Sequence, residues 1–187
     1  MKGYGLRRMY SLAQCITSIT IPNSVNSVHQ SPETLGDFTS TYFIYGRNSG
    51  TYIKQGNNWV SDGVVMPRPA VLTTSVNAWI VSINGRKPTD YYNYGTYSEL
   101  RGRIQSRMAG SFPYPAHITE FYNGTFYLRP GEYTIEAIFM RRVNTSVSFS
   151  TDTRVFNQRF TFEDGTYTLN VEELPENRLR FSIDHRN

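Results

Sequence analysis

The chain has 187 residues, 39% of them hydrophobic, enough for about one domain whose core needs no metal or disulfide staple. Its 19 basic and 15 acidic residues leave a net charge of +4, too small an excess to call for nucleic acid, so no nucleic-acid partner is expected. Cys15 is the single cysteine, which excludes an internal disulfide and a cysteine-built metal site, and no apolar run nears the roughly 20 residues of a membrane span.

Residues 1–40 read as a leader. MKGYGLRRMYSLAQC places three basic residues ahead of Ser11-Leu12-Ala13-Gln14 and Cys15. Leu12 and Ala13 fit the start of a lipoprotein cleavage motif, which makes Cys15 a candidate for lipidation and membrane attachment. Gln14 departs from the usual small residue, and MYSLA is shorter than an h-region of roughly 7–15 residues. A basic docking arm and a mitochondrial-type presequence compete with that reading. The segment 16–37 is rich in Ser, Thr and Asn and predicts an extended tether.

From residue 41 the pattern is that of strands, because Tyr (14), Phe (11) and abundant Thr favour pleated, half-buried surfaces. TYFIYG (41–46) and TYIKQ (51–55) flank Arg47-Asn48-Ser49-Gly50 as a predicted hairpin, and Asn57, Asn58 and Trp59 follow as a loop. Pro67 and Pro69 make 64–74 an edge or linker segment. VNAWIVSI (76–83) is a strand closed by Asn84-Gly85, a pair that accepts positive φ.

Next comes an insertion, 88–116. Its 90-DYYNYGTY-97 offers Tyr91, Tyr92, Tyr94 and Tyr97 as an interface, since tyrosines make rigid contacts at low entropic cost. Thr96 and Glu99 form a capping box, and Leu100, Ile104 and Met108 share one face, so a short helix is predicted over 96–108. HITEFY and TFYL are predicted to pair across an Asn123-Gly124 turn. Arg129-Pro130-Gly131-Glu132 is a second turn, leading into 133–140, whose two partly apolar faces predict a central strand. Arg141 and Arg142 open a polar loop and join the candidate interface. VFNQRFTF and TYTLNV are predicted to pair across Glu163-Asp164-Gly165, and LRFSID (179–184) is the last strand.

The pieces 79-WIVSINGRK-87, 126-FYLRPGEYTIEAIF-139 and 160-FTFEDGTYTLNV-171 resemble PEGA-type and related small β-sandwich accessory domains of bacterial envelope lipoproteins. About 40 residues separate the NG and PG turns here, where such modules run straight on. The resemblance implies a non-catalytic module that anchors or docks other subunits.

His29, His117 and His185 lie far apart and in no metal-ligand spacing. There is no GxSxG elbow, and GRNSG lacks the helix of a phosphate loop. Glu120 with Glu132 or Glu136, and Glu163 with Asp164, are the available acid pairs for glycoside chemistry. Asn123-Gly124-Thr125 and Asn144-Thr145-Ser146 fit the glycosylation sequon.

The expectation is therefore an all-β protein: an antiparallel β-sandwich over 41–187 with one short inserted helix, behind an extended N-terminal leader (1–40). It is expected to be a non-enzymatic structural or accessory subunit of a bacterial cell-envelope assembly, on the periplasmic side of a membrane. Other protein subunits are its expected partners, and no cofactor is implied. A phage or virion structural protein with an N-terminal docking arm is the alternative, and a glycan-binding protein stands third.

Overall fold

The computed structural model describes residues 16–23, 37–46, 48–99, 120–139, 141–143, 146–148 and 156–186. The chain forms two compact units, Met1–Pro69 and Ala70–Asn187.

Among the described residues, the first unit is a four-stranded antiparallel sheet with one helix. Its strands are β1 (Ser18–Ile21), β2 (Gly50–Gln55), β3 (Asn58–Ser61) and β4 (Val64–Met66), adjacent in that order, and its helix is α1 (Asp37–Ile44). Two of these elements, β1 and α1, overlap the stretch expected as a tether. Tight turns join β2 to β3 and β3 to β4, with positive φ at Gly56 in the first and at Asp62 and Gly63 in the second. Alternation along the strands turns Ile21, Tyr52, Trp59 and Met66 to one face, where Phe38 and Tyr42 of α1 complete a small core.

The predicted strand 41–46 is thus the C-terminal half of a helix and its exit turn. Its β-prone residues are overruled by packing: Phe38 and Tyr42, four apart, meet the sheet together, and Phe38 stands edge-on to Trp59 at 4.8 Å and to Tyr52 at 5.1 Å. Asp37 starts the helix, where its charge suits the positive end of the dipole. Its carboxylate accepts from Lys54 Nζ at 3.3 Å and from Trp59 Nε1 at 3.4 Å, tying α1 to β2 and β3. Asn58 and Trp59, expected in a loop, open β3, and Trp59 is buried.

The second unit holds β5 (Ala70–Thr74), β6 (Ala78–Ile83), β7 (Tyr92–Glu99), β8 (Glu120–Leu128), β9 (Gly131–Phe139), β10 (Arg141–Val143), β11 (Ser146–Ser148), β12 (Phe156–Phe162), β13 (Gly165–Leu174) and β14 (Arg178–Arg186). The main sheet runs β12-β9-β6-β8-β5-β13-β14, with β7 also on β8, and β10 and β11 form a separate ribbon. Every pairing is antiparallel except β5 with β13, so the sheet is mixed.

Strand β8 is where this sheet divides. One edge pairs with β7 along its length, from Tyr92↔Tyr127 to Glu99↔Glu120. The other edge is shared: Thr125–Leu128 pair with β5, and Tyr122 pairs with β6. Two arms result, β5-β13-β14 and β6-β9-β12, and they curl toward each other into a nearly closed, barrel-like sheet. Phe156 of β12 stacks on Phe181 of β14 at 5.0 Å, and Phe162 meets Tyr167 of β13 edge-on at 4.8 Å. The core they enclose includes Leu72, Ile80, Phe126, Ile135, Phe162 and Leu169.

Two predicted turns are present. Asn84 and Gly85 both take positive φ, and the Asn84 side chain accepts from Thr134 N at 2.7 Å. Gly131, after Pro130, turns β8 into β9 with φ 155°. Strand β9 is central, between β6 and β12, as its two apolar faces predict. Pro67 and Pro69 fall between β4 and β5, although β5 itself is an interior strand.

Three expectations are corrected. Asn123-Gly124 is no hairpin turn but the middle of β8, and Gly124 is there for proximity rather than for positive φ. It lies opposite Gly95 of β7, and a Cβ on Gly124 would stand 2.5 Å from Gly95 Cα. Asn123 Nδ2 donates to Ser75 O at 2.7 Å and to Ala78 O at 2.9 Å, which stitches β8 to the corner between β5 and β6. Next, β12 and β13 do not pair across Glu163-Asp164. They belong to different arms, and the link is a corner pinned by Glu163 N donating to Tyr167 Oη at 3.0 Å. Last, Thr96 and Glu99 lie in β7 instead of capping a helix, while residues 100–108 of that predicted helix lie outside the described residues.

Candidate functional site

Strand β7 splits the tyrosine cluster. Tyr91, just before it, turns inward: its hydroxyl donates to Ile83 O at 2.9 Å and its ring packs on the core. Burial pushes its pKa up, with Arg86 pulling the other way. Tyr91 thus pegs the start of β7 to β6. Tyr92 and Tyr94, two apart on the pleat, stay together, their rings 5.2 Å apart and their hydroxyls hydrogen-bonded to each other. Tyr127 of β8 joins them at 5.4 Å and 6.1 Å, and its pKa is raised by burial and then by Tyr94. The sequence hid Tyr127 because a turn at Asn123-Gly124 would have removed its strand from β7. Read as one strand, 120-EFYNGTFYL-128 brings it opposite Tyr92. Tyr97 lies in β7 opposite Tyr122.

Arg141 and Arg142 lie in β10, opposite Ser148 and Val147 of β11, in a different sheet from the tyrosines. The side chains of Tyr97, Arg141 and Arg142, and the whole of Cys15, lie outside what is described.

The first unit presents two features that no sequence motif announced. One is an apolar row on the sheet face away from α1. Cross-strand register aligns Ile53 with Val60 and Val60 with Val65, and Ile53 and Val65 are 49% and 54% exposed. The other is a pocket of about 130 Å³ between α1 and the sheet, lined by Tyr42, Tyr45, Asn48, Tyr52, Asp62 and Met66 among others. Tyr42 and Tyr52 form a corner of it, with rings 5.7 Å apart at 80°. The Tyr52 hydroxyl donates to Asn48 O, and its pKa is raised by burial first and by neighbouring Tyr42 and Asp62 after that.

Two of the candidate acids take structural partners. Glu136 accepts from Ser82 Oγ at 2.8 Å, and Glu132 pairs with Arg159 at 3.4 Å on the surface. His185 stacks on Tyr167, with ring centroids 4.4 Å apart, in space left by Gly165. Asn123, the first sequon asparagine, spends its Nδ2 on backbone carbonyls. Among the described residues, no group of three His, Cys, Asp or Glu could hold a metal ion, and no helix is long and apolar enough to cross a membrane.

No family model, curated protein or solved structure matches the chain.

Proposed function

We propose that the protein is a structural or accessory subunit that works through protein–protein contact. The observation that carries this reading is the Ile53–Val60–Val65 row, half-buried at Val60 and exposed at both ends. Antiparallel sheets with one wet face normally alternate apolar-in with polar-out, so β-branched residues aligned across three strands on the outer side are a surface that gains by being covered. The tyrosine trio adds a second contact surface, rigid and cheap to order. In this reading the curled second unit is a β-sandwich whose faces are the arms β5-β13-β14 and β6-β9-β12. The stretches that resemble envelope accessory domains all fall in that unit, on β6, β8–β9 and β12–β13. We therefore assign the assembly to the bacterial cell envelope, anchored through an acylated Cys15.

Two measurements test the proposal. Replacing Ile53 and Val65 together by Glu moves the native protein from an assembly-sized to a monomer-sized sedimenting species, with unchanged circular dichroism. A wild-type protein that sediments alone at native abundance overturns the subunit role. The intact mass of native material tests the anchor: loss of residues 1–14 with acyl chains on Cys15 supports it. A mass for the whole chain from Met1 removes the anchor and favours the virion-type reading.

A further inference from the structure

The two ends of the main sheet, β12 and β14, meet through side chains and not through their backbones. Phe156 stacks on Phe181 at 5.0 Å, but among the described residues no ladder joins these strands, and β14 pairs only with β13. Among those residues the outer backbone edge of β14 is thus unpaired along all nine positions. The strand is also regular: its register with β13 runs unbroken from Arg178 to Arg186, with no proline, glycine or bulge to blunt the edge. We infer that this edge is a self-association site, on which β14 of a second copy pairs antiparallel about a two-fold axis through Ser182.

The order of residues along β14 points to a second copy of itself. Charges ordinarily guard an edge strand, but in 178-RLRFSIDHR-186 they are placed so that the strand complements itself. Pairing about Ser182 sets Arg180 against Asp184 twice, once on each side of the axis, and Phe181 against Ile183 twice. Arg180 already holds Glu172 of β13, and Asp184 accepts from Asn170 Nδ2 at 2.6 Å. The outer face then carries one continuous row, Glu172–Arg180–Asp184–Asn170, running from one copy into the other. On the inner face Phe181 and Ile183 pack on the core yet are only half-buried, so the added strand covers apolar surface that one copy leaves wet. The like-charged pair, Arg178 with Arg186, falls at the ends of the ladder, and Glu176 lies 3.9 Å from Arg178.

Other registers fit less well. A slip of one residue sets Phe181 against Ser182, core side to solvent side. Centring on Phe181 leaves Arg180 facing Ser182, centring on Ile183 sets Arg180 against Arg186, and both shorten the ladder. One strand edge offers far less than the roughly 1,200–2,000 Å² of a stable interface, so a dissociation constant of about 10–100 µM is expected. Such a contact closes only at high local concentration, and it stands apart from the Ile53–Val60–Val65 row and from the subunit reading.

The test is analytical ultracentrifugation of the full chain up to about 500 µM, where a concentration-dependent dimer is expected. Arg180→Asp and Asp184→Arg each put two like-charged pairs into the interface, and each should weaken the dimer about tenfold. An equimolar mixture of these two variants should dimerise again, because each copy then meets opposite charges, and repair within either chain cannot produce that rescue. Ser182→Lys sets two ammonium groups on the axis and should weaken the dimer by a similar factor with unchanged circular dichroism. Ile53→Glu with Val65→Glu should leave it as it is. A wild-type chain that stays monomeric at about 500 µM, a dimer that survives Ser182→Lys or either charge reversal, or a mixture that remains monomeric each overturns the inference. Loss of the dimer in the Ile53 and Val65 variant also overturns it, by moving the contact to the first unit.

Discussion

Among the described residues of the first unit, an eight-residue helix packs on one face of a four-stranded sheet, and the other face carries an apolar row exposed at Ile53 and Val65. In the second, an eight-stranded sheet divides at β8 and its arms cover each other, so Ile80, Ile135 and Leu169 need no helix to bury them. The difference teaches where free energy is left over. Burial contributes about 25 cal/mol per Å² of apolar surface, so a sheet that closes on itself has already drawn on that contribution. A sheet covered on one side has not, and its outer face is where association gains most.

The comparison breaks if the two units do not melt separately. Trp59→Ala removes the largest fully buried side chain in the chain, one that packs on Phe38 and holds Asp37. It should cost the first unit about 3–5 kcal/mol. Calorimetry should show one transition lowered and the other unmoved, and a single transition shifting as a whole would join the units energetically. Gly124→Val attacks the second unit instead, because its Cβ meets the Gly95 backbone at 2.5 Å. A loss of about 1–3 kcal/mol is expected in that unit's transition alone, and full stability there would deny the close β7–β8 approach.

Asn123→Ala has a smaller effect, about 1–2 kcal/mol, for two backbone acceptors that lose their donor. Faster amide exchange at the β5–β6 corner would locate that loss, and unchanged exchange would remove Asn123 from its stitching role. The smallest effect is alkaline. Tyr91, Tyr127 and Tyr133 in the second unit and Tyr52 in the first have pKa values raised above 10.0, chiefly by burial. A raised pKa favours the protonated fold, so this stability is whole below pH 10 and is lost as pH climbs through the higher folded values. The second unit's melting temperature should fall more steeply above pH 10, with phenolate absorbance lagging that of free tyrosine. Equal slopes would count against the difference in burial.

Features set by a few neighbouring residues were legible in the sequence. Asn84-Gly85 and Pro130-Gly131 announce their turns through backbone φ, and the two apolar faces of β9 announce an interior strand. What depended on distant partners was not. The aromatic run from Tyr42 to Tyr45 looks like a strand until Trp59 and Tyr52 are in place to receive a helix. Asn123-Gly124 looks like a turn because the same pair that permits positive φ also permits two strands to touch, and only Gly95 on β7 decides between them. Of the candidate surface, Tyr92 and Tyr94 were readable as neighbours. Tyr127, the Ile53–Val60–Val65 row and the pocket were not, since each is assembled by register between strands that no single stretch of sequence contains.

The parallel pairing of β5 with β13 has a consequence in time. Thr73 Oγ1 donates to Tyr167 O across 94 residues of chain. During synthesis, β5 therefore leaves the ribosome long before its partner exists, and loop-closure entropy opposes the pairing until β13 emerges. Through that interval β5 carries an unpaired edge, a site where another chain could add as a strand. The described strands of the first unit are all synthesised by Met66. Translation arrested ahead of Gly165 should yield a nascent chain protected from protease over β2–β4 and cleaved beyond Pro69.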